Sequence, residues 1–194
     1  MARKIDPKKI EKVKKAAIEM MIQYGYKGAS IANIAKKAGV STGYLYRYYS
    51  SKEALVEDLV ETYIKETKEG MTKTFSQNKS WQEMIYDFVW ILFQKAKEDL
   101  FIMKFIITLM FESTFEGKSQ KKEKELHECM QKIVDIGLIR KEINEKVTVE
   151  EVIIVLTTIP FMYVAQKIEK ENYKELLNEK SAKRIAEICI NALK

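Results

Sequence analysis

Residues 30–49 read SIANIAKKAGVSTGYLYRYY, and the fold turns on this stretch. Ser30 stands as an N-cap before a short apolar-periodic run that ends at Ala38, and Gly39 follows where a helix needs a left-handed stop. Ser41 caps a second short helix, which Tyr48 and Tyr49 close. Two short helices joined in this way form a helix-turn-helix if three demands are met. The crossing point needs a small residue, here Ala35. The turn needs a residue free to take positive φ, here Gly39. The pair needs apolar locks, here Ile34, Val40 and Leu45. All three fall in register.

Working outward, the charge is uneven. Residues 1–52 hold twelve Lys/Arg against three Asp/Glu, while the other 142 residues hold twenty-two against twenty-five. The whole positive excess of the +6 chain surrounds the 30–49 stretch, as a polyanion contact requires. A solvated lysine-rich face has the same composition. Upstream, Ile10, Val13, Ala17, Met20, Met21 and Tyr24 mark an amphipathic helix over 8–24, with Gly25 at its end. Downstream, Ser50 and Glu53 read as a capping box that opens a long helix toward Phe75.

The remaining pattern is helical throughout. Trp81, Met84, Ile85, Phe88 and Leu92 repeat at helical spacing, and 100–115 is apolar nearly all round. Residues 117–120 read as a connection, and 123–138 as an amphipathic helix that Gly137 ends. Thr148 and Glu151 form a second capping box, ahead of a β-branched run that length and cap assign to a helix over 148–167. Pro160 is predicted to kink or unwind that helix. Ser181 caps a last helix over 181–193. With two prolines and seven glycines in 194 residues, the reading is all-α with about nine helices. Residues 1–52 form a three-helix helix-turn-helix domain, and residues 53–194 form a second helical domain.

In such a unit the second helix enters the DNA major groove, its N-terminal residues at base edges. Thr42, Gly43 and Tyr44 are the candidate base readers, and Tyr46, Tyr48 and Lys52 the candidate phosphate anchors. Arg47 serves either role, and Ser30 and Ser41 stand at helix starts. Gly43 is costly in so short a helix, which points to a close approach by DNA. The bland alternative is a tolerated glycine.

Other chemistry finds little footing. There is no glycine-rich phosphate loop, no nucleophile beside a histidine and no paired-carboxylate motif, so an enzyme is not expected. His127 is the sole histidine and has no spaced ligand set, so neither metal nor cofactor is expected. Cys129 and Cys189 read as buried free thiols of a reducing cytoplasm. The longest apolar runs, 100–111 and 152–165, fall short of the roughly 18–20 residues a membrane span needs.

The run IANIAKKAGVSTGYLYRYYSSKEAL resembles the N-terminal domain of the tetracycline-repressor (TetR) family. The matching positions are Gly25-Tyr26, Ile34-Ala35, Ala38-Gly39-Val40-Ser41, Gly43, Leu45-Tyr46, Tyr48-Tyr49 and Lys52-Glu53-Ala54-Leu55. Ser30 replaces a common Thr, and Tyr49 a usual Phe. The resemblance implies a homodimer on a near-palindromic operator, with a C-terminal part that binds a small-molecule effector and dimerises through its last two long helices. It directs attention to Trp81, Met84, Phe88, Met103, Ile107, Met110, Phe111, Met130 and Phe161 as candidate effector contacts, although each also suits a plain core. A regulator switched by a protein partner has the same reading head.

Overall fold

The computed structural model describes residues 6–75, 79–111 and 120–194, and among them the backbone forms ten helices and no strand. Two compact units result: Met1–Ile64 with Phe101–Glu116, and Lys65–Leu100 with Gly117–Lys194.

The first unit is built on α1 (Pro7–Gly28), α2 (Ile31–Ala38), α3 (Thr42–Tyr46), the start of α4 (Lys52–Phe75) and α6 (Leu100–Phe111). Asp6 caps α1 by accepting from the Lys8 amide at 3.1 Å, and Pro7 sits in the first turn, where its missing N–H costs nothing. Gly25 interrupts α1 at φ 71°, ψ 171°, a region open essentially to glycine alone. The bend folds Tyr26 into the core. Ser30 Oγ accepts from the Asn33 amide, Gly39 closes α2 at φ 70°, ψ 33°, and Ser41 Oγ accepts from the Tyr44 amide. The predicted small crossing residue Ala35 and the locks Ile34 and Leu45 are all buried.

One cap differs from its prediction. The Ala54 amide donates to Ser51 Oγ at 3.2 Å, so Ser51 rather than Ser50 begins α4. Glu53 is engaged elsewhere, by the Tyr26 hydroxyl.

In the second unit α5 (Trp81–Glu98) packs on α7 (Gln120–Ile139), α8 (Val149–Lys167) and α10 (Glu179–Ala192), with the single turn α9 (Tyr173–Leu176) between the last two. That turn is the helix the sequence pattern did not announce. Ser80 and Glu83 cap α5 reciprocally, and Thr148 and Glu151 cap α8 as predicted. The last helix starts earlier than expected. Asn178, as good a capping type as Ser, accepts from the Ser181 amide at 2.9 Å, which puts Ser181 inside α10.

Two further expectations are corrected. α8 is not unwound at Pro160, which lies on the inward row of Val152, Leu156, Pro160 and Val164. Packing along that row holds the helix on both sides of the missing hydrogen bond. Gly137 lies inside α7 rather than at its end: a Cβ there would stand 2.9 Å from Trp81 Cδ1 and 3.0 Å from the Ile143 methyls. It is a close-approach glycine.

Cys189 is buried, and desolvation pushes its thiol up to about 12. The Cys129 side chain lies outside the described residues. Although its apolar run 152–165 alone is short, the whole of α8 is the one helix among the described residues long and apolar enough to cross a membrane; its inward row packs it on α5, α7 and α10. His127 Nε2 lies 3.5 Å from Glu150 Oε1, and no metal-ligating cluster occurs among the described residues.

Candidate nucleic-acid interface

Helix α3 is five residues long and is held from both ends. Ser41 caps its start, and the Tyr48 and Tyr49 amides donate to the Leu45 carbonyl at its close. Leu45 is buried and Tyr44 half-buried, so Thr42, Gly43 and Tyr46 are the residues of the helix open to a partner. Thr42, Gly43, Tyr46 and Arg47 are exposed, Tyr46 to 54%. A Cβ built at Gly43 meets nothing within 4 Å, and its backbone is ordinary helix. Among the described residues no neighbour requires glycine there.

The other candidates divide. The Ser30 and Ser41 hydroxyls are exposed and serve as caps. Tyr44 is half-buried; its ring lies 5.1 Å from that of Tyr48, and Lys9 Nζ stands 5.7 Å from its centroid. The Tyr44 hydroxyl is enclosed beside Tyr48, and burial first, then the Tyr48 hydroxyl, raises its pKa. Tyr44 therefore faces the protein more than the exterior, unlike Thr42 and Tyr46. Lys52 is likewise engaged: its Nζ donates to the Tyr26 carbonyl at 2.6 Å and lies 4.1 Å from the centre of the Tyr26 ring.

A groove of about 500 Å³ runs beside α3, lined by Asp6, Lys9, Ser41, Tyr44, Arg47 and Tyr48. Asp6 and Lys9 were not among the sequence candidates. The Asp6-Pro7 pair, a cap followed by a first-turn proline, is the signal that places the start of α1 and so brings Lys9 to this groove.

Residues 14–59 match the model of the tetR family of bacterial regulatory proteins. An uncharacterized HTH-type transcriptional regulator of Bacillus subtilis (strain 168), YvdT, is 30% identical over 145 residues, 71% of each chain. The chain belongs to the TetR family.

It is a transcriptional regulator of that family, and its fold matches those of other TetR-like chains. The transcriptional regulator FadR of Bacillus subtilis, solved in complex with stearoyl-CoA, superposes with a TM-score of 0.73 at 19% identity, covering 95% of this chain and 99% of that one. A tetR-family regulator from Shewanella sp. PV-4 gives 0.74 at 16% identity over 95% and 97%.

The candidate effector contacts lie on several elements. In the first unit, on α6, Met103 is buried, Ile107 half-buried and Met110 exposed. In the second unit Trp81, Met84, Phe88 and Met130 are buried and Phe161 half-buried. The side chain of Phe111 lies outside the described residues.

Proposed function

We propose that this TetR-family regulator is a repressor that binds a near-palindromic operator as a homodimer and leaves it when a small lipophilic effector binds. On this reading residues 1–52 are the DNA-reading part and residues 53–194 bind the effector and dimerise. The observation that carries it is Gly43: a glycine that no contact among the described residues needs, on the outward face of a capped helix, inside the cationic quarter of the sequence. Thr42 and Arg47 reach base edges. Ser30, Ser41, Tyr46, Tyr48 and Lys52 meet the phosphates and helix starts, and Tyr44 supports α3 from beneath while its ring edge borders the DNA.

Homodimer formation is supported by α8 and α10, which bury one face and leave Ile154, Met162 and Ile188 exposed on the other. The effector reading is supported by two buried donors, Trp81 Nε1 and Gln94 Nε2, without acceptors among the described residues, and by the neighbour that holds stearoyl-CoA. The absence of any turnover belongs to the same proposal.

A gel-shift titration with the DNA upstream of its own gene tests the reading. Retardation by a dimer at moderate salt is expected, and substitutions at Thr42 should alter sequence preference while Tyr46→Ala weakens all sequences alike. No retardation of that DNA, or of duplexes from a random pool, rejects it.

A further inference from the structure

We infer that two phenol–carboxylate clamps on the first turns of α4 set how strictly this regulator measures the spacing between half-sites. Tyr26 with Glu53 and Tyr49 with Asp58 are positioning residues: they touch no DNA, and they fix the orientation of α1–α3 on the helix by which the chain leaves them. The inference rests on the dimeric, operator-binding reading above.

The geometry is two-sided. At about 100° per residue, Glu53 and Asp58 stand about 140° apart on α4, flanking the buried stripe of Leu55, Val56 and Leu59. On one flank the Tyr26 hydroxyl donates to Glu53 Oε1 at 2.7 Å, while Lys52 Nζ holds the carbonyl of the same tyrosine. On the other flank the Tyr49 hydroxyl donates to Asp58 Oδ2 at 2.5 Å, and Lys14 Nζ pairs with that oxygen at 2.8 Å.

The anchors come from three places: the segment after the Gly25 bend, the end of the α3 corner and the middle of α1. An apolar stripe alone resists separation but tolerates rotation and sliding, because dispersion and burial are non-directional. Short hydrogen bonds on both flanks remove that freedom. Both phenols are raised above their ordinary pKa, by burial first and by the facing carboxylate second, so both keep their protons and donate at any physiological pH.

Stability alone is a poor account of the arrangement, since ion pairs as exposed as Lys14–Asp58 contribute little. Orientation is the better one. One extra base pair moves a half-site by about 3.4 Å and turns it by about 35°. A rigidly held head cannot follow that change; a loosened one can.

The experiment takes the duplex that the wild-type protein selects from a random-sequence pool, then inserts or deletes one central base pair. Wild type is expected to bind the altered duplexes about a hundredfold more weakly, the cost of misplacing one head's base contacts. In Tyr26→Phe/Tyr49→Phe, which keeps both rings, the penalty is expected to fall to roughly tenfold, with the selected duplex weakened less than that. Glu53→Gln, which keeps an acceptor for Tyr26, should retain wild-type discrimination. If the double variant does not fold, Tyr49→Phe alone is expected to show an intermediate penalty. An unchanged penalty in whichever of these two variants folds overturns the inference. Failure of the wild type to select two related half-sites overturns instead the operator reading on which the inference rests.

Discussion

In the first unit the chain direction is set by backbone conformation and by directional polar contacts: Gly25 and Gly39 at positive φ, serine caps, and phenols hydrogen-bonded to carboxylates. In the second unit it is set by shape. Trp81 and Phe93 are fully buried, Phe93 stacks on Tyr163 with ring centres 5.6 Å apart, and Gly137 exists so that Trp81 can approach α7. The difference follows from the tasks. A reading head must hold a few exposed groups at fixed positions, and directional bonds do that with little buried volume. On the function proposed above the second unit accommodates an effector, and packing, which can rearrange, suits that task.

The contrast is sharpest at Trp81, where the largest effect is expected. Trp81→Ala empties a fully buried site and should lower unfolding free energy by about 3–5 kcal/mol, read from urea titration. A loss below about 1 kcal/mol would mean that the second unit is not organised by shape at this point.

Next come two glycines that should fail for different reasons. Gly25→Ala forces a side chain into a conformation reserved for glycine, and Gly137→Ala overpacks α7 against Trp81. Each is expected to cost about 1–3 kcal/mol. They are separable by a second substitution. Ile143→Ala makes room and should rescue part of Gly137→Ala in a double-mutant cycle, whereas no side-chain truncation relieves a backbone torsion. Rescue of both, or of neither, would erase the distinction between the units.

That distinction also explains what the sequence disclosed. The head was legible because its determinants are local: Ser30, Gly39 and Ser41 act within four residues of where they stand, and their roles follow from residue type. The clamps were not legible. Tyr26 and Glu53 are 27 positions apart, and nothing in their spacing announces that the Gly25 bend brings them together. The same applies to Gly137, whose neighbour Trp81 lies on another helix, so a rule for helix ends took precedence over packing that no local pattern contains. Unwinding at Pro160 failed in the opposite sense, a strong local rule overridden by an inward row of four core residues. Thr148 and Glu151 succeeded because a capping box is closed within one turn.

A smaller effect, but one of opposite signs, is expected at Gly43. Because a Cβ there meets nothing, Gly43→Ala should stabilise the free protein by about 0.5 kcal/mol through helix propensity. It should weaken operator binding about tenfold, through loss of close backbone approach. Melting temperature and gel-shift affinity measured on one preparation decide it. Equal or tighter binding by the variant would remove the close approach to DNA as the reason for the glycine.

The smallest effect concerns pH, and it tests whether the head's polar clamps behave differently from the caps of the second unit. The Tyr26 hydroxyl, together with the Glu53 main chain and Ser51, holds the Glu53 carboxyl below its ordinary pKa. Glu83, bonded by Ser80, is lowered in the same direction. For a carboxyl whose folded pKa is depressed, the added stability is complete above the unfolded value of about 4.3 and is lost as pH falls through the folded value. Both groups should therefore steepen the acid limb of a urea-midpoint profile below about pH 4.3, and neither should add slope near neutrality, where their stabilisation is fully present. Glu53→Gln and Glu83→Gln should each flatten that limb slightly. They differ in a second readout: because Glu53 anchors a long-range contact, removing its acceptor in Glu53→Ala should loosen the protection of the Tyr26 segment in hydrogen exchange. Glu83→Ala should loosen only the first turn of α5. Equal, purely local loosening in both would place Glu53 among ordinary caps.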